Sequence, residues 1–549
     1  MKRNKMISVS LILLMATSVV LPGCSGLADN YDGEKVVNIG LSSSPNTMDP
    51  QIVTDVASAQ MVDNYCGKLY RYDYQGDLVP DLAVSYDVSD DGLEWTYNID
   101  ENARWSNGDP VTADDFVFAM QRIADPSTGS GSIYVITNYC LIDNAYEIYN
   151  GECDVNELGV FADDDHTLRF VLEEPCPYFP SLITLTSFAP CNRNFFYSCN
   201  GHYCESPEYM LSSGPFVVDR YEPLAAQIHY SKNPEYVHRD NVEIDGINFF
   251  SIANTQQGYM CFDIGQLDIT PVNGELLDMI GTDDSRLHYS SGSIMYLSFN
   301  FRSEAINNIN IRRALIRSID RQSLATNVIR SGASPMTRLV SSGFYIGETE
   351  DEYNEQTKYF DNLCSYDQNA AKDLWAQGTS ELGQTHIKLR LAYNSSTHSS
   401  VVEVLQDQWK RTLPDLEIEF VPMTPEQWVV ALDGGDYDMI VGGWAPDYVD
   451  PTAFLNIYVT NQSATSPLFS DETYDGLLEQ AATPEMANDF QARNEVLHQA
   501  EQYLADQAAY VPLVFTSTSV MVSDDVNEFA TIPAGLSYIM QDFRLEEAS

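Results

Sequence analysis

The sequence predicts a mixed α/β fold, α+β in places, built as several lobes. Three observations carry this. Alternating apolar strands are interleaved with amphipathic helices along the whole chain, no segment repeats another, and 549 residues with 44% hydrophobic and 11% aromatic content suffice for more than one core.

The elements follow in order. Lys35-Val36-Val37-Asn38-Ile39-Gly40 reads as the first strand. After a turn at Asp90-Asp91-Gly92, Leu93, Trp95, Tyr97 and Ile99 alternate with Glu94, Thr96, Asn98 and Asp100, the mark of a half-buried strand. Thr112 and Asp115 have capping-box spacing, and Phe116, Val117, Met120 and Ile123 form the apolar stripe of the helix they open. Asp163-Asp164-Asp165 lacks calcium-loop spacing and reads as a turn into a strand through Leu168, Phe170 and Leu172. Further strands are expected at Phe216 to Tyr221, Ala226 to Tyr230 and Phe262 to Ile269, and one helix from Ile309 to Ile329. A strand at Ile387 to Tyr393, a helix at Val401 to Thr412 and strands at Leu416 to Val421 and Asp438 to Val441 come next. A helix around Phe490 to Tyr510 and a strand at Val511 to Phe515 close the chain.

The first 23 residues read as an export signal: Lys2, Arg3 and Lys5 precede an apolar run from Met6 to Leu21, too short to span a bilayer comfortably. Leu21-Pro22-Gly23-Cys24 resembles a bacterial lipobox, so Cys24 is the expected lipidation site and residues 24–35 its tether. The protein is therefore expected outside the cytoplasm, held to the membrane by lipid on the cell surface or in the periplasm. A formal net charge of −51 argues against nucleic acid and anionic membrane surfaces as partners. That charge also fits either a plain solvated exterior or a bias towards cationic ligands.

Setting Cys24 apart from the 10 cysteines leaves an odd number, so at least one thiol stays unpaired in a monomer. Cys191, Cys199, His202 and Cys204 lie close in sequence without the paired spacing of a zinc site, so no metal is expected. A local disulfide, Cys199 with Cys204 or Cys191, is the expectation. No catalytic residue or cofactor emerges: the chain has no GxSxG, HExxH, Walker loop or CxxC, and His238-Arg239-Asp240 and the Gly129/Gly131 turn stand without the partners that would give them a role.

One segment offers binding chemistry. After a buried strand, Gly442-Gly443 leaves room for a backbone to approach, and Trp444, Asp447 and Tyr448 add apolar walls and one fixed anion. An extended peptide needs strand-edge hydrogen bonds for its main chain and an anion for its terminal ammonium. On these residues alone, a structural aromatic corner fits as well.

Trp105-Ser106-Asn107-Gly108-Asp109-Pro110-Val111-Thr112-Ala113-Asp114-Asp115-Phe116 resembles the signature of bacterial extracellular solute-binding proteins of the peptide/nickel class, the oligopeptide-binding proteins of ABC importers. Thr47-Met48-Asp49-Pro50, Ser213-Gly214-Pro215-Phe216, Ile311-Arg312-Arg313-Ala314-Leu315 and Ala445-Pro446-Asp447-Tyr448-Val449-Asp450-Pro451 extend the resemblance in order along residues 36–545. It implies a two-lobed, Venus-flytrap periplasmic-binding-protein fold with an additional domain. Residues 36–65, 190–290 and 516–549 would form lobe I, 66–189 the extra domain packed on it, and 291–515 lobe II. It also implies a monomeric receptor, not an enzyme, that takes short peptides and delivers them to ABC permease subunits. Asp447 would hold the peptide's α-amino group, Gly443, Ala445 and Val56 would flank its main chain beside Trp444, and Trp428, Tyr134, Tyr296 and Asn394 would lie near side-chain pockets. The resemblance departs at Val441, where some relatives carry a basic residue, and at His398, one place from the usual histidine. A nickel complex, a sugar or haem as ligand, or peptide sensing in place of import, are the alternatives the same fold leaves open.

Overall fold

A computed structural model describes residues 34–546 apart from 222–226, 282, 346, 433–434, 461–467, 488, 532–533 and 535–537; the signal, Cys24 and most of the tether lie outside them. Its backbone is one large mixed sheet, in the order Leu416–Met423, Ile387–Asn394, Met439–Trp444, Leu287–Phe299, Tyr510–Val522, Ile269–Val272, Val36–Leu41, Gly246–Ser251, Gln227–Lys232, Phe216–Arg220.

Two of these strands, Leu287–Phe299 and Tyr510–Val522, are 13 residues long and run antiparallel through the middle. Ile294–Phe299 pairs onward with Met439–Trp444, whereas Ser519–Val522 pairs with Ile269–Val272. Among the described residues only these two strands reach both halves of the sheet. Their register slips between Ser291 and Ser293 and again between Met295 and Tyr296. Such bulges bend a strand and increase its twist, which lets the halves face one another.

Each half has its own core. Val37, Ile39, Phe216, Tyr230 and Phe249 pack under one, and Leu297, Ile311, Leu391, Trp409 and Val441 under the other. Residues 83–171 add a separate antiparallel sheet, Ala83–Val88, Glu94–Ile99, Thr167–Val171, Val160–Asp164. There Trp95, Tyr97 and Ile99 are buried while Glu94 is exposed. The helix Ala113–Ala124 lies on this sheet, its capping box formed by Thr112 and Asp115. Asp115 also accepts the Trp105 indole N–H at 3.0 Å, and burial pushes its carboxyl up to about 6. The core of this sheet is continuous with Tyr448, Phe454 and Tyr458 from the far end of the chain.

Three expectations are corrected. Phe262 lies in a helix, Thr255–Asp263, and the strand begins only at Ile269, because Gly265 at φ 72° turns the chain between them. The stretch from Ile309 to Ile329 breaks after Arg317, since Asp320 leaves the helix to cap Arg321–Leu324 through Ser323 N–H. Cys191, Cys199 and Cys204 are free thiols. Cys199 turns back to Phe195 O, while Cys204, at φ 63°, points into the core beside the Tyr65 hydroxyl at 3.5 Å.

Candidate functional site

The strands Leu416–Met423, Ile387–Asn394 and Met439–Trp444 are parallel, so their carboxyl ends lie on one edge of the sheet. Such edges are where open α/β sheets hold ligands, because the chain leaves them in loops that converge. Asn394, Gly443 and Trp444 stand there, and the loop 445–451 follows directly.

The two glycines have different surroundings. A Cβ on Gly442 would meet Tyr296 Cζ at 2.9 Å, whereas one on Gly443 would meet nothing nearer than Ile294 O at 3.7 Å. Gly442 therefore makes room for the buried Tyr296 ring, and Gly443, with exposed Ala445, presents open backbone. Gly442→Ala is expected to destabilise by roughly 1–3 kcal/mol through overpacking, against less than about 0.5 kcal/mol for Gly443→Ala, measured by urea unfolding. Equal effects would remove this division of roles. The Met439–Trp444 strand thus runs through both glycines, further than its apolar pattern indicates, because Trp444 still pairs with Ile294.

Trp444 donates its indole N–H to Ala453 O at 2.7 Å, which pins the loop to the helix Thr452–Leu455. Asp447, half-buried in that loop, receives the Tyr139 hydroxyl at 2.7 Å. Tyr134 packs edge-on to Tyr139 at 5.3 Å and brings its own hydroxyl to the same carboxylate. Burial pushes the Asp447 carboxyl above its ordinary range, and the two hydroxyls pull it only partly back. Tyr448 stacks on Tyr178 at 4.7 Å, and Val449 N–H donates to Ser181 Oγ at 2.9 Å, so chain from 134–181 forms the wall opposite the loop.

Tyr139 is the functional candidate that sequence reasoning missed. Five residues after Tyr134, it would point about 140° away in an α-helix. Here Val135–Tyr139 is a π-turn closed by Cys140 N–H on Val135 O, and i→i+5 spacing brings Tyr134 and Tyr139 to one side.

Val56 is 47% exposed at the start of the helix Val56–Tyr65, and Tyr134 is 40% exposed. The Gly129/Gly131 turn links them: Ser130 Oγ donates to Gln51 O at 2.5 Å and Ser132 Oγ to Val53 O at 3.2 Å, while Gly131 leaves room for Thr54. Trp428 forms a second cluster, donating to Val441 O at 2.8 Å and meeting His398 edge-on at 5.7 Å. His398 follows Asn394, whose Oδ1 accepts from Ser396 N at 3.0 Å and whose carbonyl accepts His398 N–H at 2.9 Å. The structure thus brings Asp447, Tyr134 and Tyr139 together and sets Gly443, Trp444 and Ala445 beside them. Tyr296 and Asn394 are buried.

The profile of bacterial extracellular solute-binding proteins, family 5 (middle region), matches residues 77–466. The chain is similar to the dipeptide-binding protein of Lactococcus lactis subsp. cremoris, 27% identical over 98% of each chain. Among solved structures it is similar to Listeria monocytogenes OppA bound to peptide, 28% identical with TM-score 0.68 over 94% of this chain and 100% of that one. The fold also matches the periplasmic murein tripeptide-binding protein MppA in an unliganded open form, 23% identical with TM-score 0.80 over 93% and 98%.

Proposed function

Because the chain belongs to the bacterial extracellular solute-binding proteins of family 5, and is a solute-binding protein of the peptide ABC importer class, we propose that it captures short peptides by their free amino terminus and hands them to an ABC permease. The observation that carries this reading is Asp447, a carboxylate held by Tyr139 in a half-dry corner next to the open backbone of Gly443 and Ala445. A peptide laid along that backbone would exchange main-chain hydrogen bonds with it and set its ammonium against Asp447. Val56, Trp444, Tyr134 and Trp428 would line the peptide, with Tyr296 and Asn394 behind them.

In this reading residues 36–65, 190–290 and 516–549 form lobe I, 66–189 the extra domain and 291–515 lobe II. The strands Leu287–Phe299 and Tyr510–Val522 would be the hinge, since among the described residues it is their pairing with each other that joins the two halves of the sheet. The protein acts as a monomer, by capture and release without a chemical step, and lipid on Cys24 holds it on the extracytoplasmic face.

Native mass spectrometry of the protein from Ser25 onward, before and after mild unfolding, tests the ligand class. Co-purified short peptides are expected. A bound metal complex, sugar or haem, or binding of none of a mixed peptide set, would overturn the assignment.

The pH dependence follows from Asp447. Only the ionised carboxylate pairs with an ammonium, and its pKa is raised in the free protein. Binding therefore releases a proton: affinity is full above the raised pKa and falls as pH drops through it, by up to about tenfold per pH unit. Titrations of a tripeptide between about pH 7 and pH 4, where its amino group stays protonated, should show this fall beginning above the usual carboxylate range. In Asp447→Ala the same profile should be flat.

A further inference from the structure

Tyr139 also lines a cavity of about 310 Å³, at the small end of the sizes that hold organic ligands. Chain from 138–141 and 174–178 makes one wall and residues 452–460, 475–482 and 493 the other, so neither part encloses it alone. The floor includes Pro175, Pro177 and Leu478.

Charge decides what could occupy it. Arg493 is the one cation among the lining residues, and its guanidinium already donates to both oxygens of Asp450, at 2.6 and 2.9 Å. Three lining carboxylates remain: Glu174, Asp475 and Glu479. Asp475 is partly engaged, accepting Thr460 N–H at 3.1 Å. Glu174 and Glu479 stand exposed at the mouth, and among the described residues neither has an ion-pair partner. An anion would meet uncompensated negative charge there, and a wholly apolar ligand would leave those carboxylates without a partner. A cationic head on an aliphatic stem satisfies both the rim and the floor.

We propose that this cavity is a second ligand site, which takes an ammonium or guanidinium group carried on an aliphatic chain, with the head at Glu174 and Glu479 and the stem on the proline and leucine floor. Two sources supply that chemistry, a free diamine and the lysine or arginine side chain of a captured peptide. Only the second rests on the peptide-capture reading.

The test is calorimetric titration at moderate salt with 1,5-diaminopentane, Ala-Ala-Ala and its three single-lysine forms. The proteins compared are the unmutated chain, the Glu174→Gln/Glu479→Gln double variant and Asp447→Ala. A free-cation site is supported if the diamine binds, weakens at least tenfold in the double variant and changes less than twofold in Asp447→Ala. A peptide side-chain site is supported if the diamine does not bind but one lysine peptide loses at least tenfold in the double variant while Ala-Ala-Ala stays within twofold. If neither the diamine nor any lysine peptide responds to the double variant, the proposal is wrong. Loss of the capture reading would show separately, as unchanged Ala-Ala-Ala affinity in Asp447→Ala, and would leave the diamine result standing.

Discussion

Asp447→Ala should weaken the binding of a tripeptide with a free amino terminus by roughly 30- to 100-fold, with the fold intact. Truncating one partner of a hydrogen-bonded charge pair at a desolvated contact costs about 2–5 kcal/mol, and each 1.4 kcal/mol is roughly tenfold in affinity. The lower part of that range applies here, because Asp447 is half-buried and Tyr139 and Tyr134 keep their hydroxyls beside it. The control is the N-acetylated peptide, which has no ammonium to offer. It should bind the unmutated protein weakly and lose less than about twofold more in the variant, because the two changes remove the same interaction and so do not add. Equal affinity of the unmutated protein for free and acetylated peptides would end the assignment of Asp447 to the amino terminus.

Much of the fold was legible because burial writes a period into the sequence. Trp95, Tyr97 and Ile99 alternate with polar neighbours, and the strand they predict is there with those side chains inward. The capping box of Thr112 and Asp115 placed the start of a helix, since a few local hydrogen bonds decide it. Longer-range pairing was not legible. Tyr510–Val522 extends seven residues past the apolar run that ends at Phe515, through Thr516 to Ser519, because the strand goes on to pair with Val272 to Ile269. No local pattern announces a partner more than two hundred residues away.

The candidate site divides the same way. Asp447 could be singled out because a carboxylate set among a tryptophan, two glycines and a tyrosine is a local anomaly. Tyr139, 308 residues distant, could not, because its approach depends on a π-turn and on how two parts of the chain meet. The Gly129/Gly131 turn, which looked empty of chemistry, positions Tyr134 by docking Ser130 and Ser132 on the segment before Val56.

The loop that carries Asp447 is itself held by one buried ion pair, and breaking that pair should have the largest effect on stability. Asp450 and Arg493 are 0% and 1% exposed and bonded through both oxygens. Asp450 Oδ1 also accepts Thr452 N–H at 2.9 Å and the Thr452 hydroxyl at 2.6 Å, while Arg493 Nε donates to Ala481 O at 3.2 Å. The pair thus ties the end of the 445–451 loop to the helix Phe490–Asp506. Removing one member leaves the other charge buried without its partner, at a cost of about 3–5 kcal/mol. The two losses should differ: a stranded carboxyl can take up a proton, whereas a stranded guanidinium keeps its charge. Asp450→Ala should therefore destabilise more than Arg493→Met in urea unfolding near neutral pH. The double replacement, which strands no charge, should recover part of the loss. Single variants within about 1 kcal/mol of the unmutated protein would mean that Thr452 and Ala481 hold the loop without the ion pair. If the pair does hold it, both single variants should also weaken peptide binding with Asp447 untouched, because the carboxylate would no longer be presented to the ligand at a fixed place.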